Sequence, residues 1–395
     1  MRRTAGIAGV ALLLGAAFLL GLFLTRAQAE EAATSPVRTI PREAPPDVLA
    51  EVREALLSSY YRPIPSHTLS AETPEELVSN LRDPYTEFLT PAAYAELRNS
   101  TAGTYNGVGL TLEQTKGGLV VKTAMQGPAR EAGIRPGDLI VSVDGRGVDR
   151  MPFKRSLALF QGDHGTTVRL TIRRPREGKL NFTVARSEIA LPTVRARLLG
   201  RTEGRLGYVR LLSFRTDAAE TLALRVDRLL KRGAEGLVLD LRGNHGGLLT
   251  EAVGTVSLFV EAGLVVATDG IHHGRREYRV SGDAHHVDLP LIVLVDRESA
   301  SAAEVVAAAL EDHDRALVVG QPTYGKASVQ AVRELSNGAA VKLTTAVFRT
   351  PNGSNLTGRG LTPDVVARDL PETLRDEGLR AASRLLLEQL DTPAE

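Results

Sequence analysis

Residues 298–330 read ESASAAEVVAAALEDHDRALVVGQPTYGKASVQ, and the fold turns on how they are read. Two serines, Ser299 and Ser301, stand in a turn of small residues directly ahead of Ala302–Leu310. That run is rich in alanine, the strongest helix former. The segment before the turn, Leu289–Asp296, is short and nearly all apolar, as expected of a strand buried on both faces of a largely parallel sheet. Strand, tight turn, serine and helix together lift a hydroxyl to the carboxyl edge of a sheet. A serine at a helix start is by default an N-cap, its oxygen accepting a backbone N–H. The same position also offers unpaired N–H groups and the positive end of the helix dipole to a developing oxyanion.

Downstream, Lys326 follows Ser301 by 25 residues, in the turn Tyr324-Gly325-Lys326. A serine becomes a nucleophile when a neighbour takes its proton, and lysine does this once its own pKa is lowered. A free lysine titrates near ~10.4, so roughly one molecule in a few thousand is neutral at pH 7. Burial in a dry pocket brings it into the range of a general base. A second strand-turn unit lies upstream: Gly236–Arg242 reads as a buried strand, Gly243-Asn244-His245-Gly246-Gly247 as a turn, and Leu248–Val253 as helical. Glycines there let backbone N–H groups turn outward. The turn is either a second oxyanion donor or an ordinary left-handed turn.

Together these motifs resemble the C-terminal processing (tail-specific) peptidases, a family of Ser–Lys endoproteases. The matching residues are Ser299-Ala300-Ser301-Ala302-Ala303-Glu304, Gly320 through Gly325-Lys326, Val329-Gln330, and Asp240-Leu241-Arg242 with Gly246-Gly247. The resemblance implies Ser301 as nucleophile, Lys326 as base and Gln330 as the residue that orients the lysine. It implies oxyanion donors from the backbone of Ala302 and of Gly246 or Gly247, with no cofactor and no metal. One departure is Ala303, where the family often has another serine; that position is not the nucleophile. Glu304, one turn into the helix, is read as structural, since an acidic first-turn residue stabilises any helix. The implied fold is α/β, a crotonase-like (ClpP/crotonase-type) peptidase core with an inserted PDZ domain and a helical N-terminal lead-in.

The PDZ expectation rests on Asn106-Gly107-Val108-Gly109-Leu110, Gly118–Lys122, the Pro128-Ala129 helix start, Gly137-Asp138, Val143-Asp144-Gly145 and a closing strand over Thr167–Arg173. Such a groove captures a peptide C-terminus by strand addition, loop N–H groups holding the carboxylate. Here Gly107, Val108, Gly109 and Leu110 would supply them, unless the domain is a spacer. The domain would hinge near Asn106 and Ser187-Glu188, with its groove over the site.

With 395 residues, two to three domains are expected. The division is a signal peptide or signal anchor over 1–29, a tether over 30–46, a helical lead-in over 47–100, the PDZ domain over 101–188, the Ser–Lys core over 189–370 and a helical tail over 371–395. Basic Met1-Arg2-Arg3, apolar Ala5–Leu24 and Ala27-Gln28-Ala29 form the leader pattern; twenty apolar residues also suffice to span a bilayer. Both readings place the rest outside the cytoplasm, in the periplasm or cell envelope, with membrane association through this segment. Forty-eight Lys+Arg against 47 Asp+Glu leave no electrostatic footprint for nucleic acid. The absence of cysteine excludes disulfides, thiol catalysis and cysteine metal sites, and the eight histidines show no metal-binding spacing. The expected partners are protein or peptide substrates, bound through their C-termini, and an adaptor or regulator. Two other functions compete: a Ser-His-Asp hydrolase using His245 with Asp240, and a non-catalytic PDZ adaptor. The tail, Glu372–Leu390, offers Leu374, Leu379 and Leu385–Leu387 to packing or to self-association.

Overall fold

The apolar run at 289–296 forms the strand Leu291–Val295, in which every residue is buried. Leu291, Val293 and Val295 belong to one core with residues of the helices Ala218–Leu230, Leu249–Ser257 and Ala302–Asp312. Ile292 and Leu294 turn to a second core, closed by Ala382 and Leu386 of the helix Glu377–Asp391. The strand is thus covered on both faces, which is why its sequence does not alternate. The computed structural model describes residues 47–200, 206–368 and 376–391. The leader and tether read at residues 1–46, and Leu374, lie outside them. The elements below belong to one unit that begins at Val48.

Six strands make the main sheet, in the order Val194–Leu198, Leu206–Leu211, Gly236–Asp240, Leu291–Val295, Leu317–Gly320 and Val365–Val366. The first pair is antiparallel and the other pairings are parallel. Gly236–Asp240 and Leu291–Val295 are neighbours, with Asp240 opposite Leu294. Their carboxyl ends therefore deliver the glycine turn and the serine turn side by side. The tail helix packs on the sheet: a Cβ on Gly236 would stand 3.1 Å from Leu386.

An antiparallel sheet carries Glu87–Leu89, Ala340–Arg349, Leu264–Gly270 and Gly274–Arg279, with Ser328–Glu334 also paired to Ala340–Arg349. The lead-in thus contributes a strand as well as helices. Phe88 sits opposite Val341, and Val341, Leu335 and Leu343 share a core with Val52, Leu56 and Leu77 of the lead-in. Its helices Pro74–Ser79 and Pro91–Ala102 both begin Thr-Pro. Thr73 and Thr90 accept the N–H groups of Glu76 and Ala93 at 3.2 and 3.3 Å, and proline occupies the first turn, where its missing donor costs nothing.

The PDZ segment folds around its own core of Leu119, Val121, Ile140, Leu170 and Ile172. Its strands are Leu110–Thr115, Gly118–Ala124, Leu139–Val143, Thr167–Arg174 and Gly178–Ala185; the last was not anticipated. Asp138 and Arg174 form a buried ion pair with contacts of 2.7 and 2.8 Å, and Arg174 with the Arg135 amide holds the carboxyl below its usual range against the cost of burial. The strands leading in and out, Thr104–Gly107 and Ser187–Ala190, are paired antiparallel, Asn106 opposite Glu188. The expected hinge positions are thus two halves of one ribbon. No helix among the described residues is long and apolar enough to cross a membrane.

Candidate active site

The two serines of the first turn separate by environment. Ser299 is fully buried, and its hydroxyl donates to the Leu241 carbonyl at 2.8 Å and accepts the Asp296 N–H at 2.9 Å. It fastens the turn to the neighbouring strand. Ser301 instead lines an open cleft of about 920 Å³. Its backbone has φ 57° and ψ −117°, a conformation costing a non-glycine residue of order 1–3 kcal/mol. Surrounding bonds enforce it. The Ser301 N–H donates to the Glu304 carboxylate at 2.8 Å, and the Ala300 N–H to the Asn244 carbonyl at 3.0 Å.

Asn244 joins the glycine turn to this arrangement. Fully buried, it donates from Nδ2 to the Leu211 carbonyl at 2.9 Å and accepts the Gly246 N–H on Oδ1 at 2.9 Å. A Cβ on Gly246 would stand 2.8 Å from both the Ala300 oxygen and the Ser301 Cβ; with φ +97°, only glycine suits the position. The Gly246 N–H is therefore committed to Asn244. Sequence reading passed over Asn244, because a loop asparagine carries no signal until its burial is known.

Glu304 brings the lysine turn to the serine turn. It is the only charged residue in the buried run Ala302–Leu310, and it is fully buried. One oxygen accepts the Thr323 hydroxyl at 2.5 Å and the Gly325 N–H at 2.7 Å; the other accepts the Ser301 N–H at 2.8 Å and the Lys326 N–H at 2.9 Å. The structural role read from its first-turn position is thus far wider than support of one helix. A lone acid in the otherwise apolar, alanine-rich run Ala302–Leu310 was the available signal.

Lys326 lines the same cleft as Ser301, Ala302, Gly246, Gly247 and Gln330. Burial is the main force lowering its pKa below the ordinary lysine value, and the charge of Lys342 adds to it; Asp83, Glu304 and Glu87 oppose. Its ammonium nitrogen lies 4.9 Å from the centroid of the Tyr85 ring. Gln330 lies on the strand Ser328–Glu334 and donates to the Ser328 hydroxyl at 2.8 Å, with a longer contact of 3.5 Å to Thr344. Its amide is thus held by the strand and its partner. The rest of the cleft wall is largely apolar, with Leu97, Phe214, Leu248, Val305, Val329 and Phe348. The wall from the lead-in is the helix Pro91–Ala102; no residue of the PDZ sheet lines this cleft.

His245 also lines the cleft and is exposed, but Asp240 is not its partner. Asp240 is fully buried, bound by Arg242 at 2.7 and 3.0 Å and by the Tyr208 hydroxyl at 2.7 Å. Arg242 also spans to Asp376 at 2.8 and 2.9 Å, tying the glycine turn to the tail helix. In the PDZ loop, the Val108 and Gly109 carbonyls accept the Ala129 and Met125 N–H groups at 3.0 and 2.9 Å. The Tyr105 ring lies on Gly107, and its oxygen faces the N–H groups of Gly109 and Leu110.

The chain matches the models of peptidase family S41 over residues 205–367 and of the PDZ domain over residues 120–174. It is 31% identical over 327 residues to the carboxy-terminal processing protease CtpA of Bacillus subtilis, covering 82% of this chain and 69% of that one. It belongs to peptidase family S41. The peptidase is 34% identical over 310 residues to the carboxyl-terminal-processing protease of a Synechocystis species, covering 77% and 72% of the two chains. It shares its fold with the solved photosystem II D1 C-terminal processing protease, at a TM-score of 0.53 and 31% identity over 86% of this chain and 96% of that chain. It is therefore a serine peptidase of the C-terminal processing type with an α/β core and a PDZ domain, and proteins are its substrates.

Proposed function

We propose that this peptidase cleaves proteins near their C-termini through Ser301 and Lys326, with an acyl-enzyme intermediate. The observation that carries the reading is Glu304, whose carboxylate binds the amides of both residues and so fixes the two turns against each other. Neutral Lys326 takes the Ser301 proton as Oγ bonds to the substrate carbonyl carbon. The carbonyl electron pair moves to oxygen, which rests on the N–H groups of Ala302 and Gly247. Gly247 is preferred to Gly246, whose N–H is already donated to Asn244. Collapse breaks the C–N bond, and the Lys326 ammonium returns its proton to the leaving amine. Water deprotonated by Lys326 then hydrolyses the ester. Gln330, which lines the same cleft, is read as the residue that orients Lys326.

The pH dependence follows from the lowered pKa of Lys326. Its base form is the neutral amine, so activity rises with pH. The midpoint is expected below the ~10.4 of free lysine, with a plateau in mildly alkaline solution. The pH profile of kcat/KM checks this; a rate flat from mildly acidic to mildly alkaline pH contradicts the lysine base.

The PDZ loop is read as the site of the substrate's terminal carboxylate, which would take the place the Tyr105 oxygen holds at the Gly109 and Leu110 amides. Amidating a peptide's C-terminus is therefore expected to slow cleavage, because a neutral amide loses the charge-assisted bonds. Equal turnover of free-acid and amidated peptides by the intact enzyme would remove capture by the loop. Residues 1–29, read as a signal peptide or anchor, support an extracytoplasmic location. Mass mapping of the mature N-terminus, with fractionation, tests that placement: intact residues 1–29 on a cytoplasmic protein contradict it.

A further inference from the structure

Once Lys326 holds the serine proton it is an ammonium in a half-buried cleft that also contains Lys342. Three carboxylates act on it: Glu304, Glu87 and Asp83. Glu304 spends both oxygens on the four donors of the two turns, and Glu87 is paired with Lys342. Asp83 also accepts four donors, but two of them belong to the turn that carries Tyr85. Its carboxylate accepts the hydroxyls of Thr86 and Thr344, each at 2.7 Å, the Tyr60 hydroxyl at 3.3 Å and the Tyr85 N–H at 3.0 Å. Arg62 is the cation nearby. Asp83-Pro84-Tyr85-Thr86 is thus a tight turn closed by its own aspartate. It is fixed to the sheet through Glu87–Leu89 and Ala340–Lys342, whose strand also pairs with the one that follows Lys326. This turn presents the Tyr85 ring to the lysine ammonium at 4.9 Å, within the range of a cation–π contact.

We propose that Tyr85, on a segment remote in sequence from Ser301 and Lys326, is a positioning residue whose ring face holds and stabilises the Lys326 ammonium formed when the serine is deprotonated, and that Asp83 is a positioning residue that acts by closing the turn that presents this ring. The assignment rests on the Ser–Lys reading and adds to it a role for the lead-in: the ring set against the lysine ammonium comes from a residue ahead of the PDZ domain. Burial and Lys342 disfavour the ammonium, whereas the charges of Asp83, Glu304 and Glu87 and the Tyr85 ring face favour it. The base is set by that balance.

The test is the pH profile of kcat/KM for wild type, Asp83→Asn, Tyr85→Leu and Tyr85→Phe, with melting temperatures alongside. Removing support from the charged form makes Lys326 lose its proton more readily. The midpoint of the acid limb is therefore expected to fall to lower pH in Asp83→Asn and Tyr85→Leu, with a plateau roughly tenfold lower. Tyr85→Phe keeps the ring face and is expected to keep the wild-type midpoint. A merely structural role would lower rate or melting temperature and leave the midpoint in place. Unmoved midpoints in both variants, or a phenylalanine variant as impaired as the leucine one, would overturn the assignment. Should Asp83→Asn fail to fold, the two Tyr85 variants decide alone. A wild-type profile with no acid limb would instead remove the Ser–Lys reading itself, so the two failures are distinguishable.

Discussion

Ser301→Ala and Lys326→Ala are each expected to lower kcat/KM by at least about 10⁴-fold, the scale of losing one member of a unit that acts together. Both side chains line an open cleft, so neither truncation leaves a closed core cavity, and the melting temperature is expected to stay near that of the wild type. Lys326→Arg is expected to be equally inactive, because a guanidinium remains protonated and cannot serve as base. Cleavage of a disordered test protein, followed by mass spectrometry of the products, measures all three. Substantial turnover by either alanine variant contradicts the dyad.

Glu304→Gln is the second large effect, on stability as well as rate. A carboxylate accepts from all four of its donors: the N–H groups of Ser301, Gly325 and Lys326 and the hydroxyl of Thr323. The amide offers one accepting oxygen and sets an NH₂ group against donors on the other side. Because the site is fully buried, water does not make good the loss. Donors left without acceptors in such a place cost about 1–3 kcal/mol each. A fall of roughly 2–4 kcal/mol is therefore expected, together with a loss of activity of about 10²-fold or more as the turns lose register. Thermal melts and kcat/KM on the same preparation check it. A variant with normal stability and rate would show that Glu304 does not hold the site together.

The core was legible in sequence where burial on both faces leaves its mark. The unbroken apolar runs of Gly236–Asp240 and Leu291–Val295 gave strands, and the alanine-rich run after Ser301 gave the helix Ala302–Asp312. The difference in environment between Ser299 and Ser301 was not legible from the residues alone, since both are small and polar in the same turn. It arises from the Leu241 carbonyl, just past the end of the neighbouring strand Gly236–Asp240, which holds the Ser299 hydroxyl. The same limit hid Asn244 and the reach of Glu304, whose partners lie on separate turns. The lead-in reads as helical, yet its Glu87–Leu89 segment is a strand, because Phe88 finds its partners some 250 residues away in Ala340–Arg349. Local periodicity over three residues is too short to announce this. For the tail, helical spacing offered two uses of its leucines; the exposed face of the main sheet, visible only once the strands are assembled, takes Leu386 and Ala382.

The most direct measurement is labelling with a serine-directed active-site probe, followed by peptide mapping of the adduct. A single adduct on Ser301 is expected, formed at a rate that rises with pH through the same midpoint as proteolysis and is abolished by Lys326→Ala. An adduct on another serine, or undiminished labelling of Ser301 in Lys326→Ala, would contradict it.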